Sequence, residues 1–264
     1  MTKQAILGYS VDAEVQADVV EEVSRILSKG TRECHWLACL NPHSYVLARK
    51  DAAFAEALHS ANWLVPDGIG IVLAGRVLQA PVAERITGTA IFFDVMARLN
   101  DRSGSVFFLG GTEQTLDRIK EKVTKDYPRI QFKGTHSPPF KPEYSVDEIR
   151  GMIELVNRSG AEVLWVGMTA PKQEKWIYSN QDRLKVCFAG AIGAAFDFYT
   201  GRIKRSSPIF RKFGLEWLPR LAQQPRRLWR RVFISGPIFL YDLIGLRLAR
   251  TRPLGSTKRE GPSR

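Results

Sequence analysis

Asp67 stands between Pro66 and Gly68, directly after a short apolar run, in the kind of tight loop that holds a carboxylate at the edge of a sheet. Such a carboxylate can draw a proton from a hydroxyl, and it can equally close an Asx turn or cap a helix. Four other loops follow apolar runs in the same way: Asn41-Pro42, Gly110-Gly111-Thr112, Gly167 to Gln173, and Gly190-Ala191-Ile192-Gly193. In an open α/β sheet all five would open on the carboxyl edge, where ligands collect. Glycine pairs ahead of a helix either offer backbone N–H groups to a pyrophosphate or supply turns that need positive φ. Neither pair completes the dinucleotide fingerprint or the Walker pattern, so a nucleotide fits, its class stays open, and a dinucleotide oxidoreductase is disfavoured.

No Asp-x-Asp pair occurs, the arrangement that often holds a divalent cation on a diphosphate. Cys34, Cys39 and Cys187 form no CxxC pair, and the four histidines show no zinc spacing, so the sequence predicts neither metal nor cofactor and fits a reducing compartment. A leaving diphosphate would then be met by arginine, whose planar fork binds phosphate oxygens in pairs. Arg220, Arg227, and Arg230 or Arg231 are spaced to share one helical face, with Pro225 as a candidate break. The same residues, with Trp217 and Trp229, would also suit an anionic lipid surface. Nucleic acid is excluded as a partner because the usual reader motifs are missing.

These arginines belong to a lopsided charge distribution. Residues 1–201 carry 23 Lys+Arg against 24 Asp+Glu, whereas residues 202–264 carry 16 against only Glu216, Asp242 and Glu260. The whole excess of +12 therefore sits in the last quarter of the chain. Its longest apolar stretch, Val232 to Leu246, is interrupted by Ser235, Gly236, Pro237 and Asp242 and falls short of the ~20 residues that span a bilayer. It is expected to lie on a membrane without crossing it. The N-terminus shows no secretion signal, so the chain is expected in the cytoplasm, peripheral to the inner face of the membrane.

The elements that must position these groups alternate strand and helix up to about residue 200, the signature of an α/β domain with a mainly parallel, Rossmann-like sheet and helices on both faces. Asp12 is expected to cap a first helix that ends at Gly30. Strands are expected at 35–40, 62–65, 105–109, 130–134, 163–167 and 185–189, and helices at 43–60, 70–78, 88–101, 112–126 and 171–180. Ser145 with Glu148 reads as a capping box opening a further helix to Asn157. The domain limits are expected at 1–200 for the core, 201–250 for a basic helical appendage that associates with membrane, and 251–264 for a disordered tail.

Two blocks give the chain a family likeness. One is Pro171-Lys172-Gln173-Glu174-Lys175-Trp176-Ile177 after Val166-Gly167; the other runs from Gly190 through Phe196-Asp197-Phe198, Gly201, Arg205 and Gly214-Leu215-Glu216-Trp217 to Arg220 and Pro225-Arg226-Arg227. Asn41, Pro66-Asp67-Gly68 and Arg85 with Gly88 add to it. Over about residues 5 to 240 the chain resembles the WecG/TagA/CpsF glycosyltransferases of bacterial surface-polymer synthesis. The resemblance implies a metal-independent, inverting transfer of a hexosyl residue from a UDP-sugar donor to a polyprenyl-diphosphate-linked acceptor, with undecaprenyl as the lipid. It makes Asp67 the base on the acceptor hydroxyl. Asn41, Arg85 and Gln173 become substrate contacts, and Asp197 lies near the nucleotide. Arg220, Arg227 and Arg230 are supplied by an appendage that closes over the site at the membrane.

Two positions depart from the family pattern: Ala90 stands where many members carry Asp, and Cys39 where many carry Thr. The donor sugar is accordingly open between the N-acetylmannosamine type and glucose. The rival from another class is a nucleotide-binding membrane adaptor without turnover, and a homo-oligomer is compatible with the sequence.

Overall fold

The chain begins with an antiparallel hairpin of β1 (Lys3–Ile6) and β2 (Tyr9–Asp12), followed by α1 (Gln16–Lys29), β3 (His35–Leu40), α2 (Pro42–Ala48), α3 (Ala52–Ser60), β4 (Trp63–Pro66) and α4 (Ile69–Val77). Next come α5 (Gly88–Asp101), β5 (Ser105–Leu109), α6 (Glu113–Asp126), β6 (Gln131–His136), α7 (Val146–Ser159), β7 (Val163–Val166), α8 (Lys172–Asn180), β8 (Phe188–Ala191) and α9 (Ala195–Tyr199). The last elements are α10 (Trp217–Gln223), α11 (Pro225–Arg230), a π-helical turn at Arg231–Ser235, and α12 (Gly236–Thr251). This computed structural model describes residues 2–203, 217–223 and 225–251; the side chains of Arg220, Arg227 and Thr251, and the tail from 252, lie outside the described residues.

Strands β3 to β8 form one parallel sheet in the order β4-β3-β8-β7-β5-β6. Apolar side chains at period two fill both of its faces, as a parallel sheet covered by helices requires. Trp36, Ala38, Leu40, Phe107, Leu109, Leu164 and Val166 enter one core layer; Leu37, Val106, Phe108, Val163 and Trp165 enter the other. The α/β reading, the sheet and the helices on both faces are as the sequence predicts. The basic C-terminal segment is helical over residues 217–223 and 225–251, and its last helix packs against α2 and α4 with Phe239 and Leu243 buried.

Several local expectations fail for identifiable reasons. Asp12 does not cap α1: it ends β2, fully buried, and accepts a hydrogen bond of 2.6 Å from the Leu64 N–H, while Val15 occupies the N-cap without a side-chain bond. The helix expected at 43–60 is two helices, because Asp51 accepts from the Phe54 N–H and starts α3 afresh. Strand β8 runs to Ala191, beyond the expected 189, and takes in Gly190, whose lack of a side chain suits a strand and not a ligand loop. A Cβ there would stand 2.2 Å from the Trp165 ring. Gly30 does close α1 in the left-handed region, and Ser145 and Glu148 do form the reciprocal capping box.

Candidate active site

Four loops leaving adjacent strands meet at the carboxyl edge of β4, β3, β8 and β7. Leu40 and Pro66 are paired at the ends of β3 and β4, and the Asp67 N–H donates to the Leu40 carbonyl at 2.8 Å, which fixes Asp67 just past the sheet. Asn41 caps α2: its side-chain oxygen accepts from the His43 and Ser44 N–H groups at 3.0 Å each, and Ser44 Oγ accepts from the Asn41 N–H at 2.8 Å. The cap turns the Asn41 side chain toward the helix start. Together with Cys39, Gly88, Gln173, Glu174 and Gly193, these residues line a polar pocket of about 140 Å³.

Helix α8 supplies the pocket's innermost pair. Gln173 Oε1 accepts from the Gly193 N–H at 3.0 Å, and Gln173 Nε2 donates to Glu174 Oε1 at 2.9 Å. Glu174 is 3% exposed and burial raises its carboxyl to about 7, against the lowering effects of Gln173, its own backbone N–H and Arg231. Its second oxygen, Oε2, has no hydrogen-bond partner among the described residues. Burial, reinforced by the Asp67 and Glu174 carboxylates, raises the Cys39 thiol far above its ordinary value, so this side chain stays neutral. Among the described residues, no three His, Cys, Asp or Glu side chains gather as a metal site.

The C-terminal segment reaches the same place. Arg231, in the π-helical turn, lines the polar pocket, and His43 Nδ1 lies 2.9 Å from Ser235 Oγ. Beyond them the cavity continues as a groove of about 420 Å³ between α4 and α12, walled by Ile69, Leu73, Phe239, Leu240 and Leu243 and edged by Arg85. Asn41, His43, Asp67 and Arg231 line both the polar pocket and the apolar groove. Asp67 therefore stands where a polar compartment passes into an apolar one.

Residues 4–253 match the family described as Glycosyl transferase WecG/TagA/CpsF family. The chain belongs to this family. It is a glycosyltransferase, and its relatives include the N-acetylglucosaminyldiphosphoundecaprenol N-acetyl-beta-D-mannosaminyltransferase of Staphylococcus aureus (strain MW2), 27% identical over 241 residues that cover 91% of this chain and 92% of the relative. A protein of the same name from Bacillus spizizenii is 27% identical over 218 residues, covering 83% of this chain and 82% of the relative.

In this glycosyltransferase the residues singled out from sequence fall into three groups. Asp67, Asn41, Gln173 and Arg85 are brought together around the two compartments. Gly110, Gly111 and Asp197 sit to one side. The Gly110 N–H is spent on the His136 carbonyl at 2.9 Å, Gly111 accepts from Ser137 Oγ through its carbonyl, and the Asp197 carboxylate pairs with Arg202 Nε at 2.9 Å. The arginines divide as well. Arg230 is exposed, with its guanidinium 5.5 Å from the Trp229 ring, and Arg231 is the one that faces the pocket. The side chains of Arg220 and Arg227 are outside the described residues.

Sequence reasoning passed over Glu174, His43 and Ser235. Glu174 had a readable signal, a carboxylate in the first turn of a helix opening at the ligand edge of the sheet. His43 and Ser235 are 192 positions apart, and nothing local in either segment announces the contact.

Proposed function

We propose that this glycosyltransferase moves a hexosyl residue from a UDP-sugar to an undecaprenyl-diphosphate-linked sugar, by an inverting single displacement that needs no metal. The observation that carries this reading is the shared position of Asp67, with the polar pocket on one side for a sugar nucleotide and the apolar groove on the other for a lipid-borne acceptor. In the displacement, Asp67 takes the proton of the acceptor hydroxyl as that oxygen bonds to the anomeric carbon. The bond from that carbon to the diphosphate breaks on the opposite side, and its electron pair leaves with UDP. Arg231 faces the departing charge, a role that typically contributes several kcal/mol. The relatives' names, which specify an N-acetylmannosaminyl group and an undecaprenyl-diphosphate-linked N-acetylglucosamine, agree in substrate class.

The same helix supports attachment to a membrane. Residues Leu228–Arg250 form one helix of 23 residues containing an 18-residue stretch of mean hydropathy 1.5, continuous through the breaks read in the sequence and long and apolar enough to cross a membrane by length and composition. Its other face is committed to the protein: Leu228, Ser235, Phe239 and Leu243 are buried. Phe233, Leu240, Tyr241, Ile244 and Leu248 face outward, the arrangement of a helix lying in the interfacial plane at the inner face of the cell membrane. The test is UDP release with undecaprenyl-diphosphate-linked N-acetylglucosamine as acceptor against UDP-N-acetylmannosamine, UDP-N-acetylglucosamine and UDP-glucose, with and without EDTA. Acceptor-dependent release with one donor, unaffected by EDTA, is expected; release abolished by EDTA, or absent with every donor, contradicts the reading.

A further inference from the structure

Glu174 has one oxygen more than its structural work requires. The contact to Gln173 Nε2 uses Oε1 alone, and through Gln173 it steadies the Gly193 N–H at the end of β8. A glutamine at 174 would offer the same acceptor. The other oxygen, Oε2, is buried and, among the described residues, without a hydrogen-bond partner, in a side chain that is 3% exposed and lines the polar pocket. An acceptor left unsatisfied in a buried position costs roughly 1–3 kcal/mol, more when charged, and that cost is recovered when a ligand donates to it.

We propose that Glu174 is a specificity-determining residue of the active site, its Oε2 accepting a hydrogen bond from a hydroxyl or amide N–H of the transferred sugar. This rests on the reading that the polar pocket receives the donor. Sugars suit the position because each hydroxyl brings a donor, whereas the diphosphate brings only acceptors and would be repelled by a carboxylate. Glu174 therefore reads the sugar and leaves the diphosphate to the cationic side, where Arg231 stands. Cys39 on β3 and Arg231 interact electrostatically with Glu174, and Asp67 after β4 lines the same pocket. His43 on α2 lines the same pocket. Burial and Arg231 hold His43 at about 4, and Cys39 stays a thiol, so neither titrates near neutrality.

The test compares binding of UDP with binding of UDP-N-acetylmannosamine, UDP-N-acetylglucosamine and UDP-glucose to the full chain and to Glu174→Gln, by calorimetry. The variant keeps the acceptor for Gln173, so its melting temperature should hold. It is expected to bind UDP as the parent does and to lose about 10-fold or more of the affinity for the preferred UDP-sugar. The pH dependence of kcat/KM near pH 7 should also flatten. Equal loss for UDP and UDP-sugar, or no loss for either, overturns the assignment. If Glu174→Gln does not fold, Glu174→Asp, which keeps the charge but withdraws it by one methylene, decides by the same comparison. A parent protein that binds UDP but gains nothing from any sugar overturns this inference alone; one that binds none of the four nucleotides overturns the donor-site reading as well.

Discussion

His43 Nδ1 and Ser235 Oγ are 2.9 Å apart, and through them the loop that carries Asn41 is tied to the π-helical turn that carries Arg231. Turns of this kind recur at functional sites because they widen a helix locally and redirect one side chain. The consequence is that an arginine more than 30 positions beyond the end of α9 lines the same pocket as Asp67. Burial and the Arg231 charge lower the imidazole to about 4, so His43 is neutral at physiological pH and serves as a hydrogen-bonding strut.

The strut is backed by a second fastening. Asp242 on α12 accepts from Tyr45 OH at 3.0 Å and pairs with Arg49 at 2.6 Å, while Arg250 donates to the Leu78 carbonyl at 3.1 Å. Because Arg49 is half exposed, the pair contributes only about 1 kcal/mol or less. Asp242→Ala should accordingly leave the melting temperature of the protein within a few degrees of the parent and speed amide exchange selectively over 228–250. Uniform exchange changes over the whole chain would contradict a local tether.

Arg231→Ala should reduce kcat by roughly 100-fold with little effect on acceptor KM, since the guanidinium acts on charge that develops as UDP leaves. Arg231→Lys should recover only part of the loss, because an ammonium cannot span two phosphate oxygens. Arg230→Ala, by comparison, removes an exposed group and should turn over at a near-parental rate in detergent. Steady-state kinetics of the three variants discriminate; a larger loss in Arg230→Ala would reverse the assignment.

Asp12 offers a test by pH. Burial raises its carboxyl to about 6, above the ~3.9 of an unfolded chain, so between those values the folded protein holds a proton that the unfolded chain has released. Its contribution is thus most favourable below about pH 4, declines as pH rises to about 6, and stays low above. Asp12→Asn keeps an acceptor for the Leu64 N–H and removes the buried charge. Urea unfolding should find the variant about 1–3 kcal/mol more stable than the parent at pH 8 and nearly equal at pH 4. His43 slopes the other way but is present in both proteins, so it cancels; a difference independent of pH would exclude Asp12 as its source.

What the sequence disclosed depended on the range of the interaction. Strand β3 and helix α5 are readable to the residue, because period-two and helical apolar patterns are local and both cores enforce them. The capping box at Ser145 is a signal four residues long, and it is present as expected. Asp12 failed because its partner, the Leu64 N–H, lies 52 positions away, and a buried aspartate in a strand looks from its neighbours like a helix cap. The same limit applies to the site. Asp67, Asn41 and Gln173 follow strand ends and could be named one by one, whereas the choice of Arg231 over Arg230 turns on a π-helical turn that no periodicity announces.

Gly190→Ala tests the packing under the site. The added methyl would meet the Trp165 ring at 2.2 Å in a strand held from both sides, where neither the backbone nor the indole can withdraw. A loss of about 3 kcal/mol or more is expected in denaturant unfolding, at the upper end for overpacking. A variant as stable as the parent would mean that the indole has room to move.

The central claim is that one carboxylate, set where the polar pocket opens into the apolar groove, activates the acceptor. Its most direct test is Asp67→Asn, measured for donor binding by calorimetry and for acceptor-dependent UDP release under saturating substrates. The account requires parental affinity for the UDP-sugar with turnover reduced by about 100-fold to 10,000-fold, the range of a lost general base. Turnover at the parental rate with intact binding would contradict it.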